Sequence, residues 1–287
     1  MYDAETGTNS DAIPEAIGRF SAIPRPFLKW AGSKQALLQQ IAPVLPDRYG
    51  RYYEPFLGSG ALFLFLKPRR ATLSDASEEL VRTWSAVRDH ADKISNHLRP
   101  LKPNKDLFYK IRRSRSENPA ENAAEFIYLN RSCWNGLYRV NSRGQFNVPF
   151  GAPKSDFIFD EDNVRACSAL LMQREVTLRK SDFEPAVRQA REGDLVFFDP
   201  PYVTKHNLNG FRDWNEKLFS WADQERLAVV ARRLADRGVK VVVSNADHED
   251  VVGLYRGFLR TSLRRTSTLA SDASKRGRTT EALFYTP

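Results

Sequence analysis

Residues Leu195 to Tyr202 read Leu-Val-Phe-Phe-Asp-Pro-Pro-Tyr, and this stretch narrows the choice of fold sharply. Four consecutive apolar residues predict a strand covered on both faces, the pattern of a parallel sheet flanked by helices. Pro200 and Pro201 then end it, because neither has an N–H for a sheet ladder and each fixes its own φ, so a stiff turn follows the strand end. In an open α/β sheet, ligands occupy the crevice outside the carboxyl ends of the strands. The turn would hold there the Asp199 carboxylate, exposed carbonyls and the Tyr202 ring. Such groups suit a planar aromatic amine: Asp199 and the Pro200 carbonyl each accept one N–H while Tyr202 stacks on the base, and the nitrogen lone pair is aimed at an electrophile by positioning and electrostatics alone. Taken by itself, the stretch also fits a Pro-Pro turn closing an ordinary strand.

Upstream, Phe27-Leu28-Lys29-Trp30-Ala31-Gly32-Ser33-Lys34 precedes a helical pattern at Leu37, Leu38 and Ile41 that stops at Pro43. Trp30 could cover a ligand ring and Lys34 could meet a carboxylate; an interface aromatic and a solvated lysine are the plainer readings. Arg51 to Gly60, with Glu54-Pro55-Phe56-Leu57-Gly58-Ser59-Gly60, reads as a short strand, a glycine turn and a helix starting near Ala61. Gly58 and Gly60 could let backbone approach a ligand at the head of that helix, or simply make a tight strand-helix turn. The next strand, Ala71 to Asp75, ends in an acid 17 residues after Gly58, close to the ~20-residue offset at which a carboxylate grips ribose hydroxyls. Further strands are expected at Glu175 to Leu178 and Val239 to Asn245, with helices around Ala186 to Ala190 and from Gln224 to Ala235. Asp182 and Phe183 lie past a strand end, where they could bind an adenine ring, or Asp182 could simply cap the following helix.

Between these core segments, Glu78 to about Leu129 is helical and basic, and Lys102, Lys105, Lys110, Arg112, Arg113 and Arg115 could track phosphates or form a solvated face. Asn130 to Gly151, rich in Asn-Gly and Arg-Gly, predicts a β-hairpin. A two-stranded ribbon fits the DNA major groove, where arginine binds guanine bidentately, and Trp134 could wedge between bases or merely anchor the hairpin to its domain. Arg131, Asn135, Leu137, Arg139 and Arg143 surround it. Near the end, Lys275, Arg276 and Arg278 sit in a Ser/Thr-rich stretch that could touch phosphates or simply stay solvated.

The balance of 44 Lys and Arg against 35 Asp and Glu leaves +9 at pH 7, which favours a polyanionic partner. Cys133 and Cys167 form no metal-like or CxxC spacing, and His206 and His248 stand alone, so neither a metal nor a redox dithiol is expected. Residues 1 to 24 carry Asp3, Glu5, Asp11 and Glu15, unlike an ordinary signal peptide. No apolar run approaches the ~20 residues needed to span a bilayer. The expectation is a cytoplasmic protein with no membrane partner.

Together these stretches resemble the Dam family of DNA adenine-N6 methyltransferases. The likeness runs from Phe27 to Tyr285 and rests on Lys29-Trp30-Ala31-Gly32, Glu54 to Gly60, the Asn135 to Gly151 hairpin and Asp199 to Tyr202, in the family's order. The resemblance implies an α/β fold: a Rossmann-like S-adenosylmethionine methyltransferase core with a mostly parallel seven-stranded sheet. A mobile tail is expected over 1–24, the core over 25–80 and 170–287, and an inserted helical and β-hairpin target-recognition domain over 81–169. It implies a pocket for S-adenosyl-L-methionine built by Trp30, Lys34, Glu54, Phe56, Gly58, Gly60, Asp75, Asp182, Phe183 and Asp199. Trp134 resembles the intercalating aromatic, and Asn135, Leu137 and Arg139 the base readers. Because the residue at Arg139 contacts guanine in GATC-specific members, adenine in GATC is the first expected target. Two positions depart from the pattern. Ser33 replaces a second glycine, which would loosen the cofactor turn, and Ala246 replaces a histidine after Ser244-Asn245.

The mechanism implied is extrusion of one adenine from duplex DNA, at an unstacking cost of a few kcal/mol, with Asp199 accepting hydrogen bonds from N6 and not deprotonating it before attack. Cytosine N4 or an RNA amine are the rival substrates, and a catalytically silent DNA-binding regulator the rival of another class. Expected partners are double-stranded DNA and, in a restriction-modification setting, a cognate endonuclease; the chain would act as a monomer or weak dimer of bacterial or phage origin.

Overall fold

The structure, a computed structural model, describes residues 24–156, 159–172, 175–204, 219–266 and 278–287. Residues 1–23 of the expected tail, with His206, Lys275 and Arg276, lie outside the described residues.

After a 3-10 turn at Lys34–Leu37 come α1 (Leu38–Ile41), β1 (Tyr52–Glu54), α2 (Ala61–Leu66), β2 (Arg70–Asp75), α3 (Glu78–Leu98), α4 (Lys105–Arg113), α5 (Pro119–Ser132) and α6 (Glu161–Leu171). The chain continues with β3 (Glu175–Lys180), α7 (Phe183–Val187), β4 (Leu195–Phe198), α8 (Trp221–Ala235), β5 (Lys240–Ala246), α9 (Glu249–Leu254), β6 (Leu259–Thr266) and β7 (Arg278–Tyr285). The seven strands form one sheet in the order β3-β2-β1-β4-β5-β7-β6. Every neighbouring pair is parallel except those of β7, which runs antiparallel to β5 and β6. This is the expected Rossmann-like, mostly parallel sheet.

Strand alternation divides the core between the two faces. Tyr52, Leu195, Phe197, Val242 and Leu283 join the apolar cluster on one side, and Tyr53, Val196, Phe198, Val241, Val243 and Phe284 that on the other. All four residues of β4 are therefore buried, each such side chain contributing about 1.5–3 kcal/mol of hydrophobic stabilisation. The strand that leads into the proline turn is thus held from both sides, which is what makes the turn a fixed platform.

The first apolar cluster also takes in Leu80 and Trp84 of α3, Phe108 of α4, Phe126 of α5 and Leu170 of α6. The segment expected as an insertion is thus built onto the same core, and its boundaries after residues 80 and 169 fall inside α3 and α6. The hairpin is thinner than a regular ribbon. It consists of isolated antiparallel bridges at Cys133–Phe150 and Val140–Phe146, with Asn147 N–H donating to the Arg139 carbonyl at 2.9 Å and Asn141 N–H to the Gln145 carbonyl at 2.9 Å. The left-handed backbone of Asn135 (φ 52°) and Gly136 (φ 63°) winds Trp134–Gly136 into a 3-10 turn and interrupts any longer ladder.

Candidate active site

Strand order reverses between β1 and β4: the chain leaves β1 for β2 on one side, and β4 for β5 on the other. Ligands of doubly wound sheets bind beyond the carboxyl ends at such a switch point. The Glu54–Gly60 turn after β1 and the Asp199–Tyr202 turn after β4 both open into one cleft of about 1320 Å³. That exceeds the ~300–1,000 Å³ of common small-molecule sites, leaving space for more than one ligand group. Its lining includes Trp30, Lys34, Glu54, Phe56, Gly58, Asp75, Asp182, Phe183, Asp199, Pro200, Pro201 and Tyr202. Gly60, also expected there, is buried beneath it, where an added Cβ would meet the Trp84 ring at 2.6 Å.

The glycine turn has a physical reason. Gly58 (φ 46°) and Gly60 (φ 61°) are left-handed, and a Cβ on Gly58 would sit 2.8 Å from Trp30 Cδ1, so Gly58 lets the indole lie against backbone. Asp75 at the end of β2 accepts the Gly58 N–H at 3.1 Å and the Ser77 N–H at 2.9 Å. Burial raises its carboxyl above the usual range while those N–H groups oppose the shift. A carboxylate has about four acceptor positions, so the two backbone bonds leave capacity for ligand hydroxyls.

The buried Lys34 ammonium lies 2.7 Å from Asp199 Oδ1 and 3.3 Å from Glu281 Oε2, donates to the Gly32 carbonyl at 2.9 Å, and stands 5.1 Å from the centroid of the Tyr202 ring. Burial pushes Asp199 up, and Lys34 pulls it back. Tyr202 donates its O–H to Glu281 Oε2 at 2.7 Å and lies 2.7 Å from Ser244 Oγ. Glu54, buried and accepting from the Tyr52 hydroxyl at 2.9 Å, is pushed up to about 8, chiefly by burial. One lysine thus serves two carboxylates.

Ser33 does not loosen its turn. The left-handed position falls on Gly32 (φ 81°), whereas Ser33 has φ −46° and its Oγ lies 2.8 Å from Ser59 Oγ, tying this turn to the Gly58–Gly60 turn. Asp182 caps α7 through the Glu184 N–H at 3.0 Å and receives both guanidinium nitrogens of Arg226 at 2.8 Å, which hold its carboxyl below the usual range. Phe183 is buried, stacked on Phe56 at 5.5 Å and 4.0 Å from the Arg226 guanidinium. Both residues line the cleft, but with local partners already engaged.

In the hairpin segment, Trp134 is 42% exposed, and Asn135, Arg139 and Arg143 are exposed. Arg139 Nε donates to Asn147 Oδ1 at 2.8 Å, while Leu137 packs against the core. Arg131 is half-buried in the last turn of α5, its guanidinium pulled below the ordinary value by burial and by Arg25. Arg112, Arg113 and Arg115 line the cleft; Arg112 also donates to the Val148 carbonyl at 3.1 Å, fastening α4 to the hairpin. Among the described residues no group of three or more His, Cys, Asp or Glu is arranged to hold a metal ion, and no helix is long and apolar enough to cross a membrane. His248 caps α9, accepting the Asp250 N–H.

The reading of single residues missed Glu281 and Tyr138. Glu281 reaches the site from antiparallel β7, far from any motif; the apolar run Ala282-Leu283-Phe284 would have given its strand, but not its neighbours.

The family model of D12 class N6 adenine-specific DNA methyltransferases matches residues 30–269. The type II methyltransferase M1.LlaDCHI of Lactococcus lactis subsp. cremoris is 35% identical over 269 residues, covering 90% of this chain and 94% of that protein. M.MjaIII of Methanocaldococcus jannaschii is 36% identical, with 82% and 89% covered. The DNA adenine methylase of Haemophilus influenzae is 33% identical, with 84% and 87% covered. A matched segment that contains both the Gly58 turn and the Asp199–Tyr202 turn, with relatives this similar end to end, makes the chain a member of the D12 class N6 adenine-specific DNA methyltransferase family.

Proposed function

We propose that the chain is a site-specific enzyme that methylates N6 of an adenine rotated out of duplex DNA, with GATC as the first candidate sequence. One observation carries the reading: a single cleft joins the Gly58–Asp75 corner to the Asp199–Tyr202 turn and continues to Arg112, Arg113 and the hairpin residues Gly144 and Gln145. Cofactor, target base and DNA backbone can be served from one continuous surface.

Membership of a methyltransferase family implies S-adenosyl-L-methionine, and the donor set fits it. Asp75 offers acceptors to ribose hydroxyls, the Gly58 turn brings backbone close, Trp30 supplies a ring, and the Asp199 and Glu281 carboxylates outnumber the Lys34 ammonium. Bound there, the cofactor supplies an electrophilic methyl on a sulfonium. Asp199 and the Pro200 carbonyl orient the target amine by accepting its two N–H groups. Lys34 engages Asp199 Oδ1, and among the described residues none donates to Oδ2, which is the oxygen assigned to the amine. Tyr202 provides the aromatic face. Lys34 opposes the upward push that burial gives the Asp199 carboxyl, and the residue acts by orientation. The proton released from nitrogen after transfer leaves through Asp199 or solvent.

In the hairpin, Trp134 fills the space left by the extruded base, and Asn135, Leu137 and Arg139 read the flanking bases. Arg143, with Arg131, Lys275 and Arg276, belongs to the phosphate-contacting set. The segment 81–169 acts as the target-recognition part, although it shares the sheet's core. The setting is cytoplasmic, with a cognate endonuclease as the companion in a restriction-modification pair and a monomer or weak dimer as the working form.

The test is to express the protein in cells lacking adenine methylation and to sequence their DNA with modified bases read directly. N6-methyladenine confined to GATC supports the full reading. Methylated adenine in another sequence removes GATC alone; N4-methylcytosine, or unmodified DNA from an expressed and folded protein, overturns the proposal.

A further inference from the structure

Tyr138 lies between two proposed base readers, Leu137 and Arg139, yet it lines the cleft beside Trp30, Gly58, Asp75 and Ser77. Successive side chains of an extended segment point to opposite faces, and here Arg139 is exposed while Tyr138 is half-buried. The Tyr138 ring stacks on the Trp30 indole at 5.2 Å with 22° between planes. Phe126 meets it edge-on at 5.7 Å, and Phe146 lies at 6.2 Å. Burial raises the Tyr138 pKa, against a smaller opposing effect of the Ser77 side chain. Trp30 in turn rests on Gly58, and the Asp75 carboxylate holds both the Gly58 and Ser77 N–H groups. The contacts form a chain: Tyr138 stacks on Trp30, Trp30 rests on Gly58, and Asp75 holds the Gly58 N–H.

We infer that Tyr138 completes the wall of the cofactor pocket from the hairpin and couples DNA recognition to cofactor affinity. The inference rests on the proposed reading that the cleft takes S-adenosylmethionine and the hairpin takes DNA. When a duplex fixes Leu137 and Arg139, the residue between them is fixed too, and with it the position of Trp30 over the Gly58 turn. Coupling between two sites is reciprocal in binding free energy: a duplex that raises affinity for the nucleoside must be held more tightly, by the same factor, once the nucleoside is bound. The ring contact with Trp30 is the element that transmits the effect. The hydroxyl is secondary, since Trp30 already bears on Gly58 without it.

The experiment is calorimetric titration of the full chain with S-adenosylhomocysteine, which cannot react, with and without a short duplex carrying the methylated sequence. Wild type and Tyr138→Phe are expected to bind the nucleoside more tightly with duplex present, by about 5-fold or more, within the usual span of coupling factors. Tyr138→Leu keeps apolar bulk against Phe126 and Phe146 but loses the aromatic face, and its factor is expected to fall below about 2. Duplex affinity measured without nucleoside should stay within about 3-fold of wild type, a shift of ~0.7 kcal/mol. A Tyr138→Leu factor equal to wild type, or a factor of one in wild type itself, overturns the coupling. Wild type that fails to bind S-adenosylhomocysteine at all overturns the cofactor reading beneath it, and is told apart by the first titration alone.

Discussion

Lys34 Nζ lies 2.7 Å from Asp199 Oδ1, with the lysine side chain 3% exposed. The lysine comes from the turn that precedes α1 and the aspartate from the proline turn after β4, 165 residues later in the chain. One buried contact therefore joins the two loops proposed to hold cofactor and target base. Removing a single partner from a buried pair costs about 3–5 kcal/mol, because the other charge is left without compensation.

Lys34→Met should accordingly lose stability on that scale, and more than Asp199→Asn, since Lys34 also serves Glu281 at 3.3 Å. The double variant should lose less than the sum of the singles, by about 0.5–3 kcal/mol. Urea unfolding of the four proteins measures the coupling; strict additivity would show that the contact contributes nothing.

Glu54 makes stability depend on pH in a definite direction. Its carboxyl is pushed up to about 8 from an ordinary value of 4.5, so the folded protein binds the proton more tightly than the unfolded chain. Below pH 4.5 both states are protonated and nothing is lost. Between 4.5 and about 8 only the unfolded state has released the proton, so this residue's contribution falls as pH rises, by on the order of 5 kcal/mol in all. Glu54→Gln lacks that titration. Its stability relative to wild type should climb steadily from pH 5 to pH 8.5 in urea denaturation, and a flat difference would refute burial of an ionisable carboxyl here.

Tyr202 separates the work of its ring from that of its hydroxyl. The O–H meets Glu281 and Ser244, both at 2.7 Å. Tyr202→Phe deprives buried partners of a hydrogen bond, costing about 1–3 kcal/mol of stability, but retains the ring proposed to face the base. Methyl incorporation should stay within about 10-fold of wild type, equivalent to ~1.4 kcal/mol in the barrier. Tyr202→Ala should lose far more turnover than Tyr202→Phe. Equal losses in the two would point to the hydroxyl and remove the stacking role.

How much of this was legible in the sequence depended on how local the signal was. The β1, β2, β4 and β5 strands and the Gly58 turn could be read because apolar runs and glycines announce themselves within a few residues. The start of α2 at Ala61 was likewise fixed by the glycine before it. β6 was missed because Leu259–Thr266 carries three arginines on an edge strand, and charges that protect a sheet edge mask its period. α7 begins at Phe183, earlier than the apolar spacing suggested, because Asp182 caps it. Glu281 and Tyr138 were invisible for another reason: their roles come from proximity to residues far away in the sequence, which neither composition nor period encodes.

Arg139 offers the sharpest separation between recognition and chemistry. It is exposed on the hairpin, and its guanidinium is held by Asn147, through Nε at 2.8 Å to the side chain and Nη2 at 3.4 Å to the backbone. The residue is thus presented in a restricted orientation, which lowers the ordering cost of a bidentate contact to guanine. Arg139→Ala should reduce discrimination at one base position of the site by about 1–3 kcal/mol, while the affinity for S-adenosylhomocysteine remains unchanged because Arg139 does not line the cofactor end of the cleft. Methylation rates on duplexes substituted singly at each position of the site give the discrimination directly. A uniform fall at every position, with the preference intact, would make Arg139 a phosphate contact and move base reading to its neighbours.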